Sequence, residues 1–229
     1  MRSFHDIKGF AFDLDGVLTD TARFHAQAWK KTAEEVGTKW TDELAAGLKG
    51  ISRMDSLEMI LKAGNCEHSY THEQKAQLAD EKNEYYKKLI DTLTPEDILP
   101  GMAEFLMEVK HKGYKLAVAS ASKNAPIILE RLGIADMFDA VVDPAALKSG
   151  KPDPEIFVRA AELMNLQPCE VIGLEDSIAG IKSINGAGEV SVGIGDKDEL
   201  YEAAIHFAST AEVSLSAIQG DPYFSRSNL

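Results

Sequence analysis

The sequence predicts an α/β fold: a parallel sheet with helices on both faces and a helical insert after the first strand. Three observations carry this. Five short apolar runs punctuate the chain, FAF at 10–12, KLAVA at 115–119, AVV at 140–142, VIGL at 171–174 and VSVGI at 190–194. Each is short and bulky or β-branched, the pattern of a strand covered on both faces. From the second run onward, stretches with i, i+3, i+4 spacing separate them, at residues 124–132, 154–164 and 177–187, which is the rhythm of βαβ units. Finally, about 100 residues separate the first two runs, far more than one crossover needs.

That long gap reads as mostly helical. Residues 21–36 put Ala22, His25, Ala26, Trp29, Ala33 and Val36 on one stripe. Ser52 starts a second helix through Leu57, Ile60 and Leu61, and Thr71 with Gln74 forms a capping-box pattern for a third over 71–90. The turn-rich TPEDILPG at 94–101 leads back to the sheet. The expected division is a catalytic core of residues 1–18 and 93–229 and a helical cap of residues 19–92, with two hinge-like connections.

Composition narrows the function. The chain has 229 residues with 24 Lys and Arg against 37 Asp and Glu, a net charge of −13. That argues against a nucleic-acid partner, which takes a broad basic surface, but leaves room for a small anionic substrate. No apolar run reaches the ~18 residues a membrane helix needs. The start, MRSFHDIKGF, has no apolar signal region, so a cytoplasmic protein is expected, acting as a monomer. Cys66 and Cys169 form no CxxC pair and read as free thiols. Past Asp196 the pattern weakens.

Chemistry-bearing residues gather at the ends of the runs. Asp13 and Asp15 follow the first, in FDLDGVLTD at 12–20; Ser120, then Ala121 and Ser122, follow the second; Glu175 and Asp176 end VIGL; Lys151 stands in SGKPDPEIF before a helix. In open parallel sheets, ligands bind at the carboxyl ends of the strands. Singly, a polar turn explains the Asp13 pair, a helix cap Ser120, an N-terminal helix charge Glu175 and Asp176, and a solvated loop charge Lys151. Four together, in this order, fit phosphoryl transfer. A carboxylate nucleophile, Asp13, meets like-charge repulsion from a phosphate monoester, so cations must neutralise both. Mg²⁺ suits the carboxylates of Asp13, Glu175 and Asp176, with the Asp15 carbonyl as a further ligand. Lys151 and Ser120 would hold phosphoryl oxygens, and Asp15 would be the general acid and base.

The insert adds LKGISRMDS at 48–56, where Gly50 allows close backbone approach, Arg53 offers a phosphate clamp, and Ser52 and Ser56 offer hydroxyls. A turn, an N-cap and a surface charge are the plainer explanation. On the third helix, Ala79, Asn83, Tyr86 and Ile90 share a face flanked by Lys82; a polar Asn and a Lys there are expensive unless paired.

In DLDGV at 13–17, Ser120, KPDP at 151–154 and Glu175–Asp176 the sequence resembles the haloacid dehalogenase superfamily. The resemblance implies a Rossmann-like core with strand order 5-4-1-2-3 and an inserted cap. DLDGVLTDTARFHAQAW, LKGISR, Lys82–Asn83, SASKNAP at 120–126 and GLEDSIAGI at 173–181 narrow it to the β-phosphoglucomutase family. That implies interconversion of β-glucose 1-phosphate and glucose 6-phosphate through catalytic β-glucose 1,6-bisphosphate. It implies Gly50, Ile51, Arg53, Ala121, Ser122, Lys123 and Asn124 as substrate contacts, Thr21 and His25 near the acid/base and hinge, and Trp29 and Lys82 lining the cap cleft. Two anion sites in one protein suit a bisphosphate. A small sugar-phosphate phosphatase and a non-catalytic phosphosugar-binding regulator are the alternatives.

Overall fold

The computed structural model describes residues 3–48 and 51–225. Gly50, an expected substrate contact, lies outside the described residues. The order of elements is β1 (Gly9–Phe12), α1 (Ala22–Glu35), α2 (Asp42–Gly47), α3 (Arg53–Ala63), α4 (His72–Ile90), α5 (Met102–His111), β2 (Lys115–Val118), α6 (Ala125–Arg131), β3 (Ala140–Val141), α7 (Glu155–Leu163), β4 (Val171–Glu175), α8 (Ile178–Ala187), β5 (Val190–Ile194), β6 (Ile205–Phe207) and α9 (Leu215–Gln219), with short 3₁₀ turns between.

The strands form one parallel sheet in the order β3-β2-β1-β4-β5-β6. This contains the expected 5-4-1-2-3 order and extends it by β6. At three residues, β6 is too short to show a period, and only Ile205 in it is fully buried. Helices α2 and α5 are also additions. In α5, Met102, Phe105, Leu106 and Val109 turn one stripe to the sheet.

Alternation along the strands builds two cores. Phe10, Phe12, Leu116, Val118, Ile172 and Leu174 pack with α5 and α6 on one face. Ala11, Ala117, Ala119 and Val171 meet Ile156, Phe157, Ala160, Ile181 and Ile184 of α7 and α8 on the other. Phe10 and Phe12 are fully buried, each contributing roughly 1.5–3 kcal/mol.

Helices α1 to α4 enclose a third cluster of Trp29, Ala33, Leu44, Leu57, Ile60, Leu61 and Ala79. The N-caps of α2, α3 and α4 are supplied locally: Thr41, Ser52 and Thr71 each accept a backbone N–H. The stripe on α1 is rotated from the expected one. Ala28, Trp29, Thr32 and Ala33 are buried, whereas Ala26 is exposed to the cleft beside His25. Packing against α4 takes one side of α1, and the cleft takes the adjacent side. The two connections to the sheet run together: Thr19 bridges Ile98 antiparallel, and Thr19 Oγ1 donates to the Asp97 carbonyl at 2.7 Å. Among the described residues, no helix is long and apolar enough to cross a membrane.

Candidate active site

The floor of the site is made by register. Phe12 pairs with Val118 on one side and Leu174 on the other, so Asp13, Ser120 and Glu175 emerge side by side at the carboxyl edge. Lys151, from the loop before α7, passes beneath them. Its Nζ donates to Asp13 Oδ1 at 2.6 Å and to Glu175 Oε1 at 2.7 Å, over the Phe157 ring. Glu175 Oε2 accepts from the Ser177 N–H and hydroxyl at 2.8 and 3.0 Å. One ammonium thus serves two buried carboxylates. Burial, joined by the charge of Glu175, pushes Asp13 up to about 7, with Lys151 pulling the other way. Burial opposes the charge on Lys151, but Asp13 and Glu175 outweigh it and hold the lysine above its ordinary range.

Two glycines make room for this density of carboxylates. Gly16 has φ +78°, and a Cβ there would sit 2.1 Å from Asp176 Oδ2. A Cβ on Gly180, in the first turn of α8, would sit 2.0 Å from Glu175 Oε1. Oxygens of Asp13, Glu175 and Asp176 lie within 4.8 Å of one another. Three hard, anionic oxygen donors at this spacing with one lysine between them fit a divalent cation such as Mg²⁺.

Beside the floor stands Asp15. Its Oδ1 is buried with no hydrogen-bond partner, and its Oδ2 lies 3.6 Å from His25 Nε2. Burial and the neighbouring Asp13 push Asp15 up to about 8, against the pull of Lys82 and Lys151. His25 Nδ1 in turn faces Lys82 Nζ at 2.8 Å. The imidazole stacks on Tyr86 with ring centroids 4.0 Å apart, and the Lys82 ammonium lies 4.6 Å from the centres of both Trp29 and Tyr86. Burial, then the cations Lys82 and Arg53, lowers His25 well below its usual value.

Above these groups a cleft of about 650 Å³ opens between the sheet edge and the helices of the insert. On the sheet side it is lined by Asp13, Asp15, Asp176 and the run Ser120, Ala121, Ser122, Lys123, Asn124. On the insert side it is lined by His25, Trp29, Ile51, Ser52, Arg53, Ser56 and Lys82. Arg53 Nη2 and Asn124 Nδ2 both donate to Asn83 Oδ1, each at 2.9 Å.

Lys151, Glu175 and Thr21 lie outside the cleft lining, and the hydroxyls of Ser52, Ser56 and Ser120 have partners of their own. Lys151 and Glu175 do not line the cleft; they support Asp13 from below with side chains fully covered. Thr21 is fully buried at the start of α1, its hydroxyl without a hydrogen-bond partner. Ser52 Oγ accepts from Asp55 N and donates to Asp55 Oδ2, and Ser56 Oγ donates to the Ser52 carbonyl. Both serine hydroxyls are therefore engaged in the first turn of α3. Ser120 Oγ accepts from Ser122 N at 3.1 Å, which leaves its own proton to donate. Tyr86 reads from the sequence only as a core aromatic; it is fully buried and bears on the site through the His25 ring it stacks on. The Trp40, Leu48, Met54 and Pro144 walls carry no local signal at all.

Comparison with known proteins agrees with this geometry. Residues 7–188 match the haloacid dehalogenase-like hydrolase family. The chain is 43% identical over 212 residues to a β-phosphoglucomutase of Bacillus subtilis, covering 93% of this chain and 94% of that protein. It is 33% identical to a phosphorylated carbohydrates phosphatase of Thermotoga maritima, covering 77% and 80%. The crystal structure of a β-phosphoglucomutase from Clostridium difficile superposes with a TM-score of 0.93 at 44% identity, covering 96% of this chain and 98% of that one. With its carboxylates at the ends of β1 and β4 and its helical insert after β1, the chain belongs to the haloacid dehalogenase-like hydrolase family, and over nearly its whole length it is similar to β-phosphoglucomutases.

Proposed function

We propose that the chain interconverts β-D-glucose 1-phosphate and D-glucose 6-phosphate through an aspartyl phosphate on Asp13 and β-glucose 1,6-bisphosphate. The observation that supports this best is a cation placed across the cleft from the carboxylate floor. Lys151 supports Asp13 from below that floor, and Arg53 lines the insert side of the cleft, joined through Asn83 to Asn124. A bisphosphate has two anionic ends to place; a monoester that only loses its phosphate has one.

In this reading Asp13 attacks the C1 phosphorus of the bisphosphate, the P–O bond to the sugar breaks, and the departing oxygen takes a proton from Asp15, releasing glucose 6-phosphate. In the other half-reaction Asp15 takes the proton from the 6-hydroxyl of β-glucose 1-phosphate as that oxygen attacks the phosphoryl group on Asp13, which regenerates the bisphosphate and frees the Asp13 carboxylate. Asp15, raised to about 8, carries the proton near neutral pH that the first half needs. Asp13, Asp176 and Glu175, with the Asp15 carbonyl, would hold Mg²⁺, which when bound supplies positive charge beside the transferring group. Lys151 keeps Asp13 oriented, and Ser120 offers its hydroxyl proton to a phosphoryl oxygen. Residues 19–92 act as a cap that excludes water while the intermediate turns round, over a core of residues 1–18 and 93–229. All these groups come from one chain, so a monomer suffices. The expected location is the cytoplasm, where charged sugar phosphates, which do not cross membranes unaided, are retained.

The test supplies β-glucose 1-phosphate, Mg²⁺ and a trace of glucose 1,6-bisphosphate, and measures glucose 6-phosphate against free phosphate. Predominant glucose 6-phosphate is expected. Predominant free phosphate makes the chain a sugar-phosphate phosphatase.

A further inference from the structure

Asn83 stands at a junction between the insert and the sheet. It lies on α4, buried in the wall of the cleft. Its Oδ1 accepts from Arg53 Nη2 at the start of α3 and from Asn124 Nδ2 at the start of α6. A guanidinium only donates, so the oxygen of Asn83 must face Arg53; Asn124 must then turn its NH₂ to the same oxygen. Arg53 therefore fixes the orientation of both amides. Both lone pairs of one neutral oxygen are used, and they tie a cation of the insert to a side chain of the sheet edge.

The neutrality of this partner matters. Among the described residues, the carboxylate nearest Arg53 is Asp80, at 3.7 Å with its side chain 78% exposed, where solvent screens the pair. Asn83 thus holds the guanidinium in place and leaves its charge and most of its five N–H donors for an anion. An aspartate of the same shape would form an ion pair instead and cancel that charge.

We propose that Asn83 is a positioning residue for the second anion site: it aims Arg53 at the distal phosphate of the bisphosphate and joins it to Asn124 across the cleft. This rests on the bisphosphate reading above. The clamp is then assembled from two parts of the chain, and only their approach brings Arg53 and Asn124 to the same oxygen.

The experiment measures the Kd of glucose 1,6-bisphosphate by calorimetry with Mg²⁺, in an Asp13→Asn background that prevents turnover. Asn83→Asp and Asn83→Ala are compared with Arg53 present and with Arg53→Ala. With Arg53 present, Asn83→Asp raises Kd about 10–150-fold, the range of a charge-assisted contact, and Asn83→Ala raises it less. With Arg53→Ala, Asn83→Ala moves Kd by less than about twofold, because the residue it acts through is gone. A circular dichroism spectrum matching wild type in each variant is the control that a general folding defect fails. Equal losses in both Arg53 backgrounds, no loss in either, or no binding of the bisphosphate overturns the proposal. Failure of the mutase reading looks different: the Asn83–Arg53 coupling persists in binding while the wild-type enzyme releases free phosphate.

Discussion

Lys82 Nζ lies 2.8 Å from His25 Nδ1, and this one contact fixes the proton on the imidazole. While Lys82 is protonated, below about pH 7, it only donates, so Nδ1 accepts and the ring proton sits on Nε2, facing Asp15. The ring stays neutral because burial and the cations Lys82 and Arg53 lower it well below its usual value. Asp15 consequently sees a dipole rather than a second positive charge, which agrees with its holding a proton near neutral pH.

The same contact makes stability depend on pH through Lys82. Burial, then Arg53, lowers Lys82 from 10.5 to about 7, against the pull of Asp15. Between these values the unfolded chain binds more protons than the folded one, so this group makes stability rise with pH from about 7 toward 10. Below pH 7 the charged amine carries its full burden. Lys82→Met removes the titration. Denaturant unfolding at pH 7, 8 and 9 is expected to show a gap between variant and wild type that narrows as pH rises; a gap constant across the three overturns the assignment.

Lys151→Met leaves Asp13 and Glu175 buried together without their shared cation. Breaking a buried pair on one side costs about 3–5 kcal/mol. At about 2–4 °C per kcal/mol for a chain of this size, Tm falls by about 6–20 °C. Mg²⁺ recovers part of the loss by replacing the missing charge. A melting curve within about 2 °C of wild type in metal-free buffer contradicts the pairing.

How much of this was legible depended on whether a residue's role is local. The first five strands announce themselves as short apolar runs, and Asp13, Ser120 and Glu175 follow because a strand's end is where its own sequence stops being apolar. The caps Ser52 and Thr71 are likewise contacts within four residues. Pairings over long separations were not legible. Lys151 is legible as a member of the phosphoryl-transfer set, but its direct pairing with Asp13, 138 positions away, is not. Asn83 and Asn124 are 41 apart; Asn83 reads as a costly polar residue on a buried face and Asn124 as a substrate contact through the resemblance, and nothing in the sequence pairs them. The three residues of β6 are held by Val192, Gly193 and Ile194 of β5, and nothing within them reveals that.

Asp13→Asn separates chemistry from stability. The amide keeps an oxygen for Lys151 and loses the nucleophile, so turnover and acetyl-phosphate labelling both vanish. The folded chain no longer carries a buried carboxylate raised to about 7, so in metal-free buffer at pH 8 the variant is expected to be at least as stable as wild type. Turnover within tenfold of wild type removes Asp13 as nucleophile; a large loss of stability shows that the carboxylate is needed to neutralise Lys151.

Arg53→Ala tests the second anion site. Arg53 belongs to the insert, and its hydrogen bond goes to Asn83, not to any group of the Asp13 floor. Its removal leaves the contacts of Lys151, Asp13 and Glu175 intact. Small donors such as acetyl phosphate need only that floor, so labelling of Asp13 is expected to continue at close to the wild-type rate. Isomerisation needs the far phosphate held while the intermediate is turned, and loss of a charge-assisted contact lowers it by about 10–150-fold. Free bisphosphate is expected to accumulate as the intermediate escapes. The measurement is the ratio of mutase turnover to acetyl-phosphate labelling in one preparation. Equal falls assign Arg53 to the floor or to folding of the insert. If neither rate falls, Arg53 is a surface charge and the distal phosphate is held by Lys123 and Asn124 without it.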